Sequence, residues 1–223
     1  MKKHICLLLV ICLLLSALLA GCGSDEKKII GKWTADIDYT DAFNTGLHSA
    51  KGLDKNAKHF EAEEFIVTTT LIFREDGSYS MVIEDSAAQK ALQDIEYILY
   101  DGFESVLKEQ FSQLGLPFSV EQYLQNQTHV IWGMVDDALT DKVKEDLLDN
   151  LVNTHTGNYR IADSKIYMTQ ELTEELTEEN YDTYTLEKDT LTLLECHCNV
   201  EDEYQDIAKS IYPVTFTRVI EDN

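Results

Sequence analysis

Apolar and polar residues alternate with period two from Ile29 to Tyr39. Gly31, Trp33, Ala35, Ile37 and Tyr39 fall on one side, and Lys32, Thr34, Asp36 and Asp38 on the other. That spacing gives a β-strand one dry face and one wet face. Strand-like segments recur over 64–74, 78–84, 158–162, 165–169, 181–187, 190–196 and 212–219. Phe65, Val67, Thr69, Leu71 and Phe73 share a face of the second, and Tyr79, Met81 and Ile83 a face of the third. Glu75-Asp76-Gly77, Asp163-Ser164 and Lys188-Asp189 lie between consecutive segments as hairpin turns, Gly supplying positive φ in the first. Pro213 suits the first turn of the last strand or an edge. Residues 41–62 carry no strand pattern and read as a loop with some helix.

The period changes at Ser86. Ala88, Ala91, Leu92, Ile95, Leu99, Phe103, Val106, Leu107, Phe111 and Leu114 recur at three and four, an apolar stripe on one long amphipathic helix ended by Gly115 and Pro117. Ser119 with Gln122 resembles a capping box and opens a second helix, for which Gly133 is a candidate break. Thr140 opens a third, with Val143, Leu147, Leu148, Leu151 and Val152 on one face. The chain therefore reads as mainly β (α+β): eight antiparallel strands, with a helical insertion over 86–153 between strands three and four. Local hairpins favour a closed up-and-down barrel. The alternative is an open sheet with helices covering one face. Phe103, Phe111 and Trp132 are the insertion's candidates for contact with a protein partner.

The N-terminus has a different pattern. Lys2 and Lys3 precede an almost unbroken aliphatic run from Ile5 to Leu15, and small residues follow. This is the anatomy of a secretory signal over residues 1–21, and the run is shorter than the about 20 apolar residues of a membrane span. The Leu19-Ala20-Gly21-Cys22 ending resembles the lipobox of bacterial lipoproteins. The resemblance implies cleavage before Cys22 and a diacylglyceryl group on its sulfur. Two acyl chains, at about 0.8 kcal/mol per buried CH2, suffice for stable anchoring. Residues 22–28 then read as a lipidated tether and 29–223 as the folded domain. The expected location is the extracytoplasmic side of the cell membrane, with membrane lipid as a partner through the acylated Cys22.

Charge narrows the partners. The chain carries 18 Lys and Arg against 41 Asp and Glu, a net −23. Losing residues 1–21 would remove two lysines and no acid, leaving −25. Phosphate recognition needs clustered cations, so nucleic acid is not an expected partner. Of five cysteines, Cys6 and Cys12 fall within the signal and Cys22 carries the lipid, so only Cys196 and Cys198 remain and no disulfide framework is present.

The first strand opens with Gly31-Lys32-Trp33 and the last closes with Phe216-Thr217-Arg218. Gly-x-Trp resembles the signature of lipocalin-like domains. In that family a late Arg packs over the early Trp and seals one end of the barrel, roles that the resemblance gives to Gly31, Trp33 and Arg218. Phe73-Arg74-Glu75-Asp76-Gly77-Ser78-Tyr79 and Gly157-Asn158-Tyr159-Arg160-Ile161 are similar to small lipocalin-like lipoproteins of Gram-positive bacteria. The likeness covers the strands, about half the chain. It implies a site in the barrel interior, lined by Tyr39, Phe65, Tyr79 and Tyr184 and suited to a small apolar ligand.

Catalytic signatures are sparse. There is no Gly-rich phosphate loop, His-Glu-x-x-His pair or Gly-x-Ser-x-Gly elbow, so an enzyme is not expected. Cys196-His197-Cys198 is a weak metal candidate, the two sulfurs sharing one face of a strand; an oxidised pair or two small buried residues are the plainer readings. Asp36, Asp38 and Asp41 form an acidic group without a calcium-loop pattern, and no cofactor is implied. The expected function is a membrane-anchored binding module for a small apolar ligand or a protein partner. The alternative is a structural or interaction lipoprotein with a filled barrel.

Overall fold

The eight period-two segments form eight strands that pair in sequence order, all antiparallel, into one closed barrel. The computed structural model describes residues 24–49, 56–115, 119–197 and 210–220. The strands are β1 (Gly31–Asp38), β2 (Ile66–Phe73), β3 (Ser78–Val82), β4 (His155–Ala162), β5 (Lys165–Met168), β6 (Tyr181–Glu187), β7 (Thr190–His197) and β8 (Val214–Arg218). β1 meets β2 along its whole length, from Gly31↔Phe73 to Asp38↔Ile66. It meets β8 at Trp33↔Arg218 and Thr34↔Thr217, which closes the ring. Closure removes every free strand edge, and with it the open-sheet alternative.

Turn chemistry sets the strand order. Gly77 has φ +81°, and the Asp76 carboxylate accepts from the Ser78 amide at 2.9 Å and hydroxyl at 2.7 Å. Asp163 and Ser164 both have positive φ, the signature of the two-residue hairpin turn that suits strand twist. These turns and 188–189 gather at one end of the barrel. The β1–β2, β3–β4, β5–β6 and β7–β8 connections all leave the barrel at the other, referred to below as the mouth.

Among the described residues six α-helices accompany the barrel: α1 (Ser24–Ile29), α2 (Thr40–Ser49), α3 (Asp85–Gln113), α4 (Val120–Gln125), α5 (Thr128–Ala138) and α6 (Asp141–Leu151). The insertion between β3 and β4 is thus four helices. Ser119 caps α4 through the Gln122 amide and Thr140 caps α6 through the Val143 amide. The N-terminal half of α3 lies on β2, burying Ala88, Ala91 and Leu92. Its C-terminal half carries α4 to α6.

Two expectations are corrected. Residues 24–28 belong to a helix, not an extended tether. Asp25 and Glu26 at its start and Lys27 and Lys28 at its end complement the helix dipole, and Ile29 is fully buried against the barrel. The described residues of 41–62 combine loop and helix, as expected: α2 begins where the Asp38 carboxylate accepts from the Thr40 amide at 2.9 Å, and a 3-10 turn spans Ala57–His59. Gly133 does not break a helix but lies inside α5. Ile131 and Val135, both buried, hold that helix, offsetting the roughly 1 kcal/mol a mid-helix glycine costs. The break comes earlier, where Asn126 closes α4 and its amide donates to the Gln122 carbonyl at 2.8 Å.

The main core lies inside the barrel: Trp33, Ala35, Ile37, Leu71, Phe73, Tyr79, Ile166, Tyr184, Leu191, Leu193 and Phe216 all point inward. A second cluster, Ala62, Phe65, Val67 and Ala91, sits at the mouth between β2 and the helices. Tyr39 touches both.

Candidate functional site

The two ends of the barrel bury opposite charges. At the turn end Trp33 is 0 % exposed, and its indole N–H donates to the Ile29 carbonyl at 2.6 Å. The Arg218 guanidinium lies 4.1 Å from the centroid of the indole ring. One arm donates to the Ile30 carbonyl at 2.9 Å and the other to the Lys28 carbonyl, while Asp189 stands 3.9 Å from its Nε. Gly31 makes room for this: it has φ +136°, and a Cβ there would stand 2.7 Å from Arg218 Nη1. Indole, guanidinium and α1 together stopper this end.

At the mouth end the buried charge is a carboxylate. Asp182 is 2 % exposed and lies on the same face of β6 as Tyr184, inside the barrel. The Tyr212 hydroxyl donates to its Oδ1 at 3.2 Å. Burial pushes the Asp182 carboxyl up to about 7, against a smaller lowering by that hydrogen bond. No Lys or Arg among the described residues pairs with it.

Phenols surround this carboxyl. Burial raises Tyr212 well above the ordinary phenol range, and Asp182, Tyr39 and Tyr79 add to the shift. Tyr79 is raised by burial first and by Asp182 second, and its hydroxyl donates to the Thr169 carbonyl at 2.8 Å. Gly157 permits that arrangement, because a Cβ there would collide with the Thr169 carbonyl oxygen. Burial likewise raises Tyr39, opposed by the Thr69 hydroxyl beside it. The Thr69 hydroxyl, on a residue 1 % exposed, completes no hydrogen bond among the described residues. The site is therefore one carboxyl, three phenols and one unpartnered hydroxyl, in an otherwise apolar interior.

Of the residues expected to line the interior, Tyr79 and Tyr184 belong to the main core and Tyr39, partly buried, packs against it; burial pushes the Tyr184 phenol up to about 12. Phe65 is not among them. It lies in the mouth cluster, its ring centroid 4.9 Å from that of Phe43, because it precedes β2 and faces the helices. Cys196 is disulfide-bonded, so its sulfur is no thiolate ligand. Cys22, Cys198 and the signal segment lie outside the described residues. No group of three His, Cys, Asp or Glu side chains able to hold a metal occurs among the described residues. Asp36 and Asp38 instead accept hydrogen bonds from the Thr68 and Thr40 hydroxyls. No helix among the described residues is long and apolar enough to cross a membrane.

Sequence reading passed over Asp182, Tyr212 and the role of Thr69. The signal was present: Asp182, Tyr184 and Leu186 alternate in β6, placing an acid on a dry face.

On the outside, Asp36, Glu61, Glu64, Asp94 and Asp101 border a groove of about 630 Å3 between the sheet and α3. The insertion aromatics Phe103, Phe111 and Trp132 are each half-buried against another ring: Phe60, Tyr123 and Tyr100 respectively. Compared with protein-family models, curated proteins and solved structures, the chain matches none.

Proposed function

We propose that this protein is an extracytoplasmic lipoprotein, anchored through an acylated Cys22, whose barrel is a binding module for a small ligand taken at the mouth. One observation carries the reading: buried polar groups with unused hydrogen-bonding capacity collect at the mouth end. A barrel serving only as a scaffold gains nothing from them, because a buried polar group without a partner costs about 1–3 kcal/mol.

The spelling of the N-terminus supports the anchor. Cys22 precedes α1 by one residue, and α1 packs at the turn end. The lipid would therefore hold the stoppered end towards the membrane, with the mouth facing away. A net charge of −25 on the processed chain would lift the domain off an anionic surface.

The test has two arms. Mass spectrometry of the full chain expressed in a bacterium should find the N-terminus at Cys22 with a diacylglyceryl adduct, and Cys22→Ser should leave the membrane fraction. Native mass spectrometry should find a small molecule bound in at least part of the population. An intact N-terminus would overturn the anchor. A ligand-free protein that also excludes neutral apolar dyes would overturn the binding module in favour of a filled barrel, the rival that the dense packing at the turn end favours.

A further inference from the structure

The interior acid at the mouth specifies the ligand's chemistry. Asp182 has one hydrogen-bond donor and no cation among the described residues. A carboxylate can accept several more donors. A bare anion in an apolar interior is costly, so the empty protein meets the demand by retaining a proton, as the rise to about 7 indicates. A ligand that brought its own positive charge would remove that need. Aromatic rings around the acid favour the same choice, because a cation over an aromatic face is attracted by its quadrupole. Thr69 offers a free hydroxyl oxygen on the same side as Tyr39. The net charge of −23 concentrates cations near the protein and repels carboxylates such as fatty acids.

We infer that the barrel's ligand is a small organic amine, its ammonium group paired with Asp182 among Tyr39, Tyr79 and Tyr212 and its apolar part lodged in the barrel. This rests on the small-ligand reading above and gives it a chemical class. The ammonium donates to the free lone pairs of the Asp182 carboxylate. Alcohols of the same shape lack the charge, and carboxylic acids carry the wrong one.

The inference is tested by calorimetric titration of the full chain at pH 8 and physiological salt. The probes are phenethylamine, 2-phenylethanol and phenylacetate, and Nile red reports separately on neutral apolar binding. Asp182→Asn keeps the side chain's shape and still accepts from Tyr212, and its melting transition verifies folding. Phenethylamine should bind at least tenfold more tightly than 2-phenylethanol, phenylacetate should not bind, and Asp182→Asn should lose at least tenfold for the amine alone. Equal binding of amine and alcohol, or an Asn variant that binds the amine as the parent does, overturns the amine assignment and leaves the small-ligand reading standing. Nile red bound with no amine bound has the same meaning. No binding of any probe, Nile red included, overturns both.

Discussion

The turn end and the mouth end of the barrel handle a buried charge in opposite ways. Arg218 is sandwiched by an indole and two backbone carbonyls, with Asp189 nearby, so little of its hydrogen-bonding capacity is spare. Asp182 has a single phenol and no countercharge among the described residues. The cation thus stabilises the fold, whereas the anion is a standing cost. Where one end of a barrel is satisfied and the other is not, the unsatisfied end is where a ligand has something to add.

The largest break in this contrast comes from removing the indole. Trp33→Ala should destabilise the fold by about 3–5 kcal/mol, read as a fall in the denaturant midpoint, because it empties the stopper and strips Arg218 of its platform. Retention of parental stability would mean that the turn end is not what holds the barrel.

Asp182→Asn should act in the other direction, and pH exposes it. Below about pH 4 the carboxyl is protonated in both folded and unfolded chains and costs nothing. Between about 4 and 7 the unfolded chain releases the proton while the fold keeps it, so stability falls as pH rises; above 7 the loss is complete. Three pH units at 1.36 kcal/mol each put that loss on the order of 4 kcal/mol. Thermal melts of parent and variant should coincide near pH 4 and separate by pH 8, with the variant the more stable. Parallel curves would show that Asp182 is not held as described.

Gly31→Ala should cost about 1–3 kcal/mol, since φ +136° and the nearby guanidinium both resist a Cβ. The smallest effect is at the mouth: Thr69→Val should stabilise by about 1 kcal/mol by removing an unpartnered hydroxyl. If instead it destabilises, the hydroxyl has a partner after all, and the contrast between the ends narrows.

The barrel was legible because alternation and turn residues are local. Trp33, Leu71 and Phe216 announce the dry face of their strands, and Asp76-Gly77 and Asp163-Ser164 bend without help from distant contacts. Helix α1 and the bounds of α2 were not legible. Each is short, and each is fixed by contacts that sequence spacing does not reveal: the carbonyl of Lys28 held by Arg218, and the hydroxyl of Thr40 accepting from the Phe65 amide at 2.8 Å. Asp182 escaped for a different reason. Tyr181, Thr183 and Thr185 on the opposite face of β6 are also polar or aromatic, so the strand does not declare which side is inside. Phe65 shows the converse: alternation gave its face correctly, but its position just before β2 puts it with the helices instead of the lumen.

Arg218 ties the last strand to the carbonyls on either side of Ile29, in the segment that leads into the first strand. A pull on the N-terminus therefore reaches the seam between β1 and β8 before any other part of the barrel. The guanidinium acts there as a strain relief, like the clamp where a cable enters its housing. Tension on the N-terminus would be borne by the stopper, and the barrel's mouth would keep its shape.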